Sequence, residues 1–153
     1  MVYSRSGNTL LAAKELARLN DADLFVIEAS AYPQTFSGQR KASSDASDEL
    51  REAEVNYPPI DFSQYQSVVL CSPTWWFRPA VPMWAFASAQ DFGERNVSLV
   101  MTGNTRFHTD KVDEFIGLIE SKNGNFTQHH FIKRGRLFWQ ISDEELRQQI
   151  KSI

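Results

Sequence analysis

Val2-Tyr3-Ser4-Arg5-Ser6-Gly7-Asn8-Thr9 is the stretch on which the fold is read. Two apolar residues end a strand. Ser4, Ser6, Asn8 and Thr9 then offer side-chain hydrogen-bonding groups on either side of Gly7, whose backbone can take shapes that Cβ-bearing residues resist. A helix-forming run, residues 10–19, follows at once. One such side chain is enough for an N-cap, and this turn carries four candidates. Strand, polar glycine turn and helix start together make a place for an anion. The first N–H groups of the helix are unpaired there, and the helix dipole is positive. Taken alone, the turn reads equally well as a simple helix cap.

Only Met1-Val2-Tyr3 precede the turn, so the first strand is expected to be short for a buried one and to support the loop weakly. Helix one is expected over 9–20 and a second strand over 24–27. Residues 28–59 are polar and turn-rich, with a solvated helix expected over 45–56. Val68-Val69-Leu70-Cys71 is a continuous apolar run, as in a strand buried on both faces, and it exits through Ser72-Pro73-Thr74-Trp75-Trp76-Phe77-Arg78-Pro79. A helix over 81–90 leads to a strand over 97–101, which exits through Thr102-Gly103-Asn104-Thr105-Arg106-Phe107. A helix over 108–123 closes on Asn123-Gly124. Strand segments over 126–132 and 136–141 come last, before a capping box at Ser142-Asp143-Glu144-Glu145 that opens a terminal helix.

Strands alternating with helices predict an α/β protein: a doubly wound, five-stranded parallel sheet of order 2-1-3-4-5 in a three-layer sandwich, with its first strand shortened. In that order the exits of strands one, three and four meet where strand order reverses, which is where open α/β sheets bind ligands. The chain of 153 residues suits one domain, 1–153, and 42% hydrophobic residues suffice for a core. A net charge of -3 points to neither nucleic acid nor an anionic membrane surface. The single cysteine, Cys71, sits in an apolar run and reads as a buried, inert thiol in a reducing compartment. With no apolar span and no signal peptide, a cytoplasmic location is expected. Adjacent His129 and His130 lie in a strand and point to opposite faces, so no metal site is expected.

On these residues the chain resembles the flavodoxin-like flavoproteins, whose namesake is the standing example of the 2-1-3-4-5 order. Ser4-Arg5-Ser6-Gly7-Asn8-Thr9 matches the family's phosphate loop, (S/T)-x-(S/T)-G-N-T, and Pro73-Thr74-Trp75-Trp76 is similar to its first flavin-ring loop, often P-x-W-W. The resemblance implies FMN as cofactor. Ser4, Ser6, Asn8 and Thr9 would bond its phosphate, helped by backbone N–H groups of Arg5, Gly7 and Thr9. Pro73, Thr74, Trp75, Trp76 and Phe77 would line one side of the ring, and Thr102, Gly103, Asn104 and Phe107 the other edge. Phe77 stands where many members have glycine, and Phe77-Arg78-Pro79-Ala80 is closer to the W-F-x-x-P-A segment of flavin quinone reductases.

The activity so implied is oxidoreduction, with NAD(P)H as electron donor and a quinone-like or other small acceptor. Such a scheme needs no catalytic side chain. Arg78 and Arg106 lie on the ring loops, in position to favour reduced flavin or a nicotinamide phosphate, with surface salt bridging as the plainer role. A flavodoxin-type carrier docking to redox proteins is the alternative, although such carriers are usually more acidic. A module that has lost its cofactor is the third reading. Many relatives pair as homodimers.

Overall fold

The computed structural model describes residues 1–134, 140–151 and 153. Inside its sheet, next to the edge strand, is β1 (Val2–Tyr3), flanked by β2 (Val26–Ile27) and β3 (Ser67–Trp75), both parallel to it. A two-residue strand, β4 (Arg78–Pro79), folds back antiparallel on the end of β3. Parallel pairing then continues from β3 to β5 (Asn96–Gly103) and on to β6 (Asn125–Lys133). The path β2-β1-β3-β5-β6 is the expected doubly wound order, its numbering raised by the added β4.

Side-chain alternation along the strands builds two cores. Val2, Cys71, Val100 and Ile132 face α1 (Asn8–Leu19) and α5 (Asp143–Ile150), against Ala12, Leu16, Leu146 and Ile150. Their neighbours Tyr3, Leu70, Leu99 and Met101 face α3 (Val81–Ser88) and α4 (Thr109–Ser121), against Met83, Trp84, Phe86 and Phe115. No described helix is long and apolar enough to cross a membrane.

β1 is as short as the sequence predicts, and it is gripped from both sides. The Val2 N–H donates to the Phe25 carbonyl at 2.9 Å, and the Cys71 N–H to the Met1 carbonyl at 2.9 Å. The Met1 amine donates to the Val69 carbonyl at 2.9 Å. Cys71 is buried, and that burial pushes its thiol up to about 11. A cavity of about 490 Å³ opens beside Met1, Leu16, Phe25 and Phe62, at the amino end of the sheet and away from the polar turn.

One expected helix is corrected. The helix in the polar region, α2, spans Phe36–Ser47 and not 45–56. Thr35 caps it, its Oγ1 accepting from the Gly38 N–H at 3.2 Å. Its buried stripe is Gly38, Ala42 and Ala46, at i, i+4 and i+8, and Gly38 is required there because a Cβ would fall 2.1 Å from the Pro33 carbonyl oxygen. Glu49 takes a left-handed conformation just past the helix, and Asn56 bridges back to Glu28. The strand expected over 24–27 is reduced to its last two residues. The segment expected over 136–141 lies almost wholly outside the described residues. The capping box at Ser142 forms as expected, with both reciprocal bonds present.

Candidate functional site

The polar turn leaves the carboxyl end of β1 and becomes the start of α1. Gly7, at φ 90°, is the N-cap residue, and no side chain caps the helix. The Ser4 hydroxyl accepts from the Gly7 N–H at 3.1 Å, which curls the turn. Ser6 is exposed and Asn8 half-buried. No acidic residue stands in the first turn of α1. The turn therefore gathers donors and a positive helix end without a carboxylate, an environment that favours an anion.

The Arg5 side chain is engaged outside this turn. Its Nη1 donates to the Pro33 carbonyl at 3.2 Å and its Nη2 bonds Gln39 of α2. Thr9 is buried, and its hydroxyl meets that of Thr102 at 2.8 Å. That contact joins the turn after β1 to the end of β5. A hydroxyl pair uses one proton in its shared bond and leaves the second free to donate elsewhere.

The exit of β3 is a tight hairpin. Thr74 pairs with Pro79 and Trp75 with Arg78, so Trp76 and Phe77 form a two-residue turn. Both are left-handed, at φ 47° and 66°. Positive φ at both positions is the I′ pattern, which matches strand twist but favours Asn and Gly. Two bulky aromatics here hold local strain, and such strain clusters at functional sites. The reward is position. Trp76 is 54% exposed and its Nε1 donates to the Ser43 hydroxyl at 2.9 Å. Trp75 is half-buried and edge-on to Tyr3 and Tyr32, at centroid distances of 5.5 and 5.1 Å. Phe77 stacks on His108 at 4.5 Å, with the Arg106 guanidinium 5.3 Å from its ring centroid.

The third loop follows β5. Gly103 lies so close to its neighbours that a Cβ would come within 2.9 Å of Thr74 Oγ1 and 3.0 Å of the Phe131 ring. Pro73 pairs with Thr102 in the sheet register. Asn104 is exposed, while Phe107 packs on His129 and Phe131, with centroids at 4.6 and 5.2 Å. The His108 N–H donates to the Phe77 carbonyl at 2.8 Å and ties the two aromatic loops together. Two buried hydroxyls, Tyr3 Oη and Thr74 Oγ1, meet no partner among the described residues.

The three exits thus stand side by side on β1, β3 and β5, as the sequence predicts. The family model described as Flavodoxin matches residues 1–138. The chain belongs to the flavodoxin family. Among solved structures it is similar to a flavoprotein from Lactobacillus acidophilus in complex with FMN, at 19% identity and a TM-score of 0.72, covering 85% of this chain and 89% of that one. It is also similar to a candidate flavoprotein from Bacteroides uniformis, at 18% identity and a TM-score of 0.75, covering 98% and 94%. At these identities the likeness is one of fold. No curated protein matches the chain in sequence.

Within this flavodoxin-type arrangement Arg78 departs from the sequence reading. It is 1% exposed, so it is no surface salt-bridge residue. Its guanidinium turns into the helical layer and lies 4.6 Å from the Trp84 ring centroid. Burial, then the neighbouring Arg51, lowers its pKa. Sequence reasoning also passed over Tyr3, Tyr32, Ser43 and Arg134 as residues bordering the site. The Arg134 side chain reaches Asn8 at 3.4 Å, a contact that nothing in the local sequence signals.

His129, behind Phe107, supplies a pH test. Its Nε2 is buried with no acceptor among the described residues. Burial first, and His130 second, lower its pKa from 6.5. The unfolded chain therefore takes up this proton at higher pH than the folded one, and stability present above about pH 6.5 is lost as pH falls through the folded pKa. The expected result is a urea midpoint that declines less in His129→Gln than in wild type between about pH 7 and pH 5. Equal declines would remove His129 as the cause.

Proposed function

We propose that this flavodoxin-family protein binds FMN and passes electrons from NAD(P)H to a quinone-like or other small acceptor. The observation that carries the reading is the donor-rich, carboxylate-free turn at the uncapped start of α1, joined through Thr9 and Thr102 to the aromatic loops. The residues present fit the cofactor. Ser4, Ser6, Asn8, Thr9 and the first N–H groups of α1 hold the phosphate. Trp75, Trp76 and Phe77 flank the flat ring, whose faces suit aromatic contact. The backbone of Thr102, Gly103 and Asn104 reads its polar edge. Bound FMN supplies the hydride- and electron-accepting chemistry, and the protein supplies position, shielding and charge. Arg106, on the ring-loop rim, favours added negative charge nearby and attracts an anionic donor. The same reading places the protein in a reducing cytoplasm, in keeping with its one buried thiol.

The carrier reading has one feature in its favour, the exposed indole of Trp76 at the rim. A redox titration with NADH, NADPH and a soluble quinone separates the two. One two-electron wave, bleaching by a reduced nicotinamide and quinone turnover are expected. Two well-separated one-electron waves, with no bleaching by either nicotinamide, would assign the protein to the carriers.

A further inference from the structure

We infer that Arg134 is a positioning residue that turns the Asn8 side chain into a phosphate donor, an inference that rests on the phosphate reading of the turn. Arg134 follows the last residue of β6, and its side chain is only 10% exposed. Its backbone is pinned on both sides. The N–H donates to the Gly103 carbonyl at 2.8 Å, and the carbonyl accepts from the Ile141 N–H at 2.9 Å. Nη1 donates to the Ile141 carbonyl at 2.7 Å, and Nη2 to the Asp143 carboxylate at 3.0 Å. With those two nitrogens committed, Nε reaches Asn8 Oδ1 at 3.4 Å.

The orientation of Asn8 follows from the donor inventory. A guanidinium has five N–H donors and no acceptor, so the amide must present its oxygen to it. The amide nitrogen, with two N–H donors, is thereby directed away from Arg134. Without this partner the amide would be free to flip and offer its oxygen to the anion.

Electrostatics add a second reason. A cation beside the N-terminus of a helix is repelled by the dipole unless an anion sits nearby. Arg134 stands next to Asn8, the first residue of α1, and its one carboxylate partner among the described residues, Asp143, is 56% exposed. A phosphate held by the turn relieves that repulsion. The Arg134–Asp143 pair also couples the start of α5 to the turn before α1, so the last helix contributes to the site without touching the ligand.

The test compares dissociation constants for FMN and for riboflavin, which lacks the phosphate. Arg134→Met is expected to weaken FMN about tenfold and leave riboflavin unchanged. In an Asn8→Ala background the same change is expected to cost FMN little more, because both act through one side chain. Asn8→Asp keeps a partner for Arg134, so it tests the idea even if Arg134→Met fails to fold. It is expected to weaken FMN by tenfold or more and to spare riboflavin. Equal losses for both ligands, or full additivity of the Asn8 and Arg134 changes, would overturn the positioning role. A wild-type protein that binds riboflavin as tightly as FMN, or binds neither, overturns the phosphate reading itself and the proposal with it.

Discussion

Trp84→Ala is expected to destabilise the fold by about 3–5 kcal/mol, the range for deleting a large buried aromatic. Trp84 is fully buried in α3 and edge-on to Phe115 of α4 at 4.9 Å. Its Nε1 donates to the Pro79 carbonyl at 3.1 Å, fastening the helix to β4. The guanidinium groups of Arg78 and Arg51 each lie 4.6 Å from its ring centroid. The Arg78 nitrogens meet no hydrogen-bond acceptor among the described residues, so the indole face receives this buried charge, with the carboxylates of Glu49 and Glu114 attracting it from further off. Removing the ring leaves a cavity, an unpaired carbonyl and a stranded cation together. Trp84→Phe, which keeps most of the bulk, is expected to cost roughly the lost bond, about 1 kcal/mol. Arg78→Met is expected to be near neutral or stabilising, since exchanging a poorly paired buried charge for an apolar side chain often is. Urea unfolding of the three variants checks this, and a Trp84→Ala cost below about 1 kcal/mol would show that the layer under the hairpin does not depend on the indole.

That layer marks the boundary of what the sequence discloses. The sheet order was legible because apolar runs such as 68–71 and the alternation of strands with helices leave few topologies open. The three loops were legible because polar and aromatic residues cluster at strand exits, and the polar glycine turn after β1 has its own spacing. The position of α2 was not legible. Its buried face is made of Gly38, Ala42 and Ala46, residues too small to register as an apolar stripe, while the charges of 48–52 suggested an exposed helix further on. Arg78 was misread for a related reason. Local sequence places an arginine at a surface turn by default, and only the antiparallel return of β4 sends this one inward. Arg134 meets Asn8 across a separation of 126 residues, a contact that no local pattern encodes.

Riboflavin is expected to bind at least about a thousandfold more weakly than FMN. The two ligands share the ring, so contacts with Trp75, Trp76 and Phe77 cancel in the comparison and the phosphate turn is isolated. On the proposed reading, a dianionic phosphate in that turn would meet the first N–H groups of α1 and the side chains of Ser6 and Asn8. Hydrogen bonds to a charged group are worth about 1.5–3 kcal/mol each, so three of them amount to at least about 4.5 kcal/mol, which is about a thousandfold or more in affinity. The discrimination does not depend on Arg5, whose guanidinium is tied to Pro33 and Gln39, so Arg5→Met is expected to leave the ratio nearly unchanged. Gly7→Val should reduce it, because a β-branched residue resists the φ of 90° that shapes the turn. Riboflavin within tenfold of FMN would mean that the turn only caps the helix. The ring loops would then carry the affinity, and the strand β1 would hold the turn in place for the fold alone.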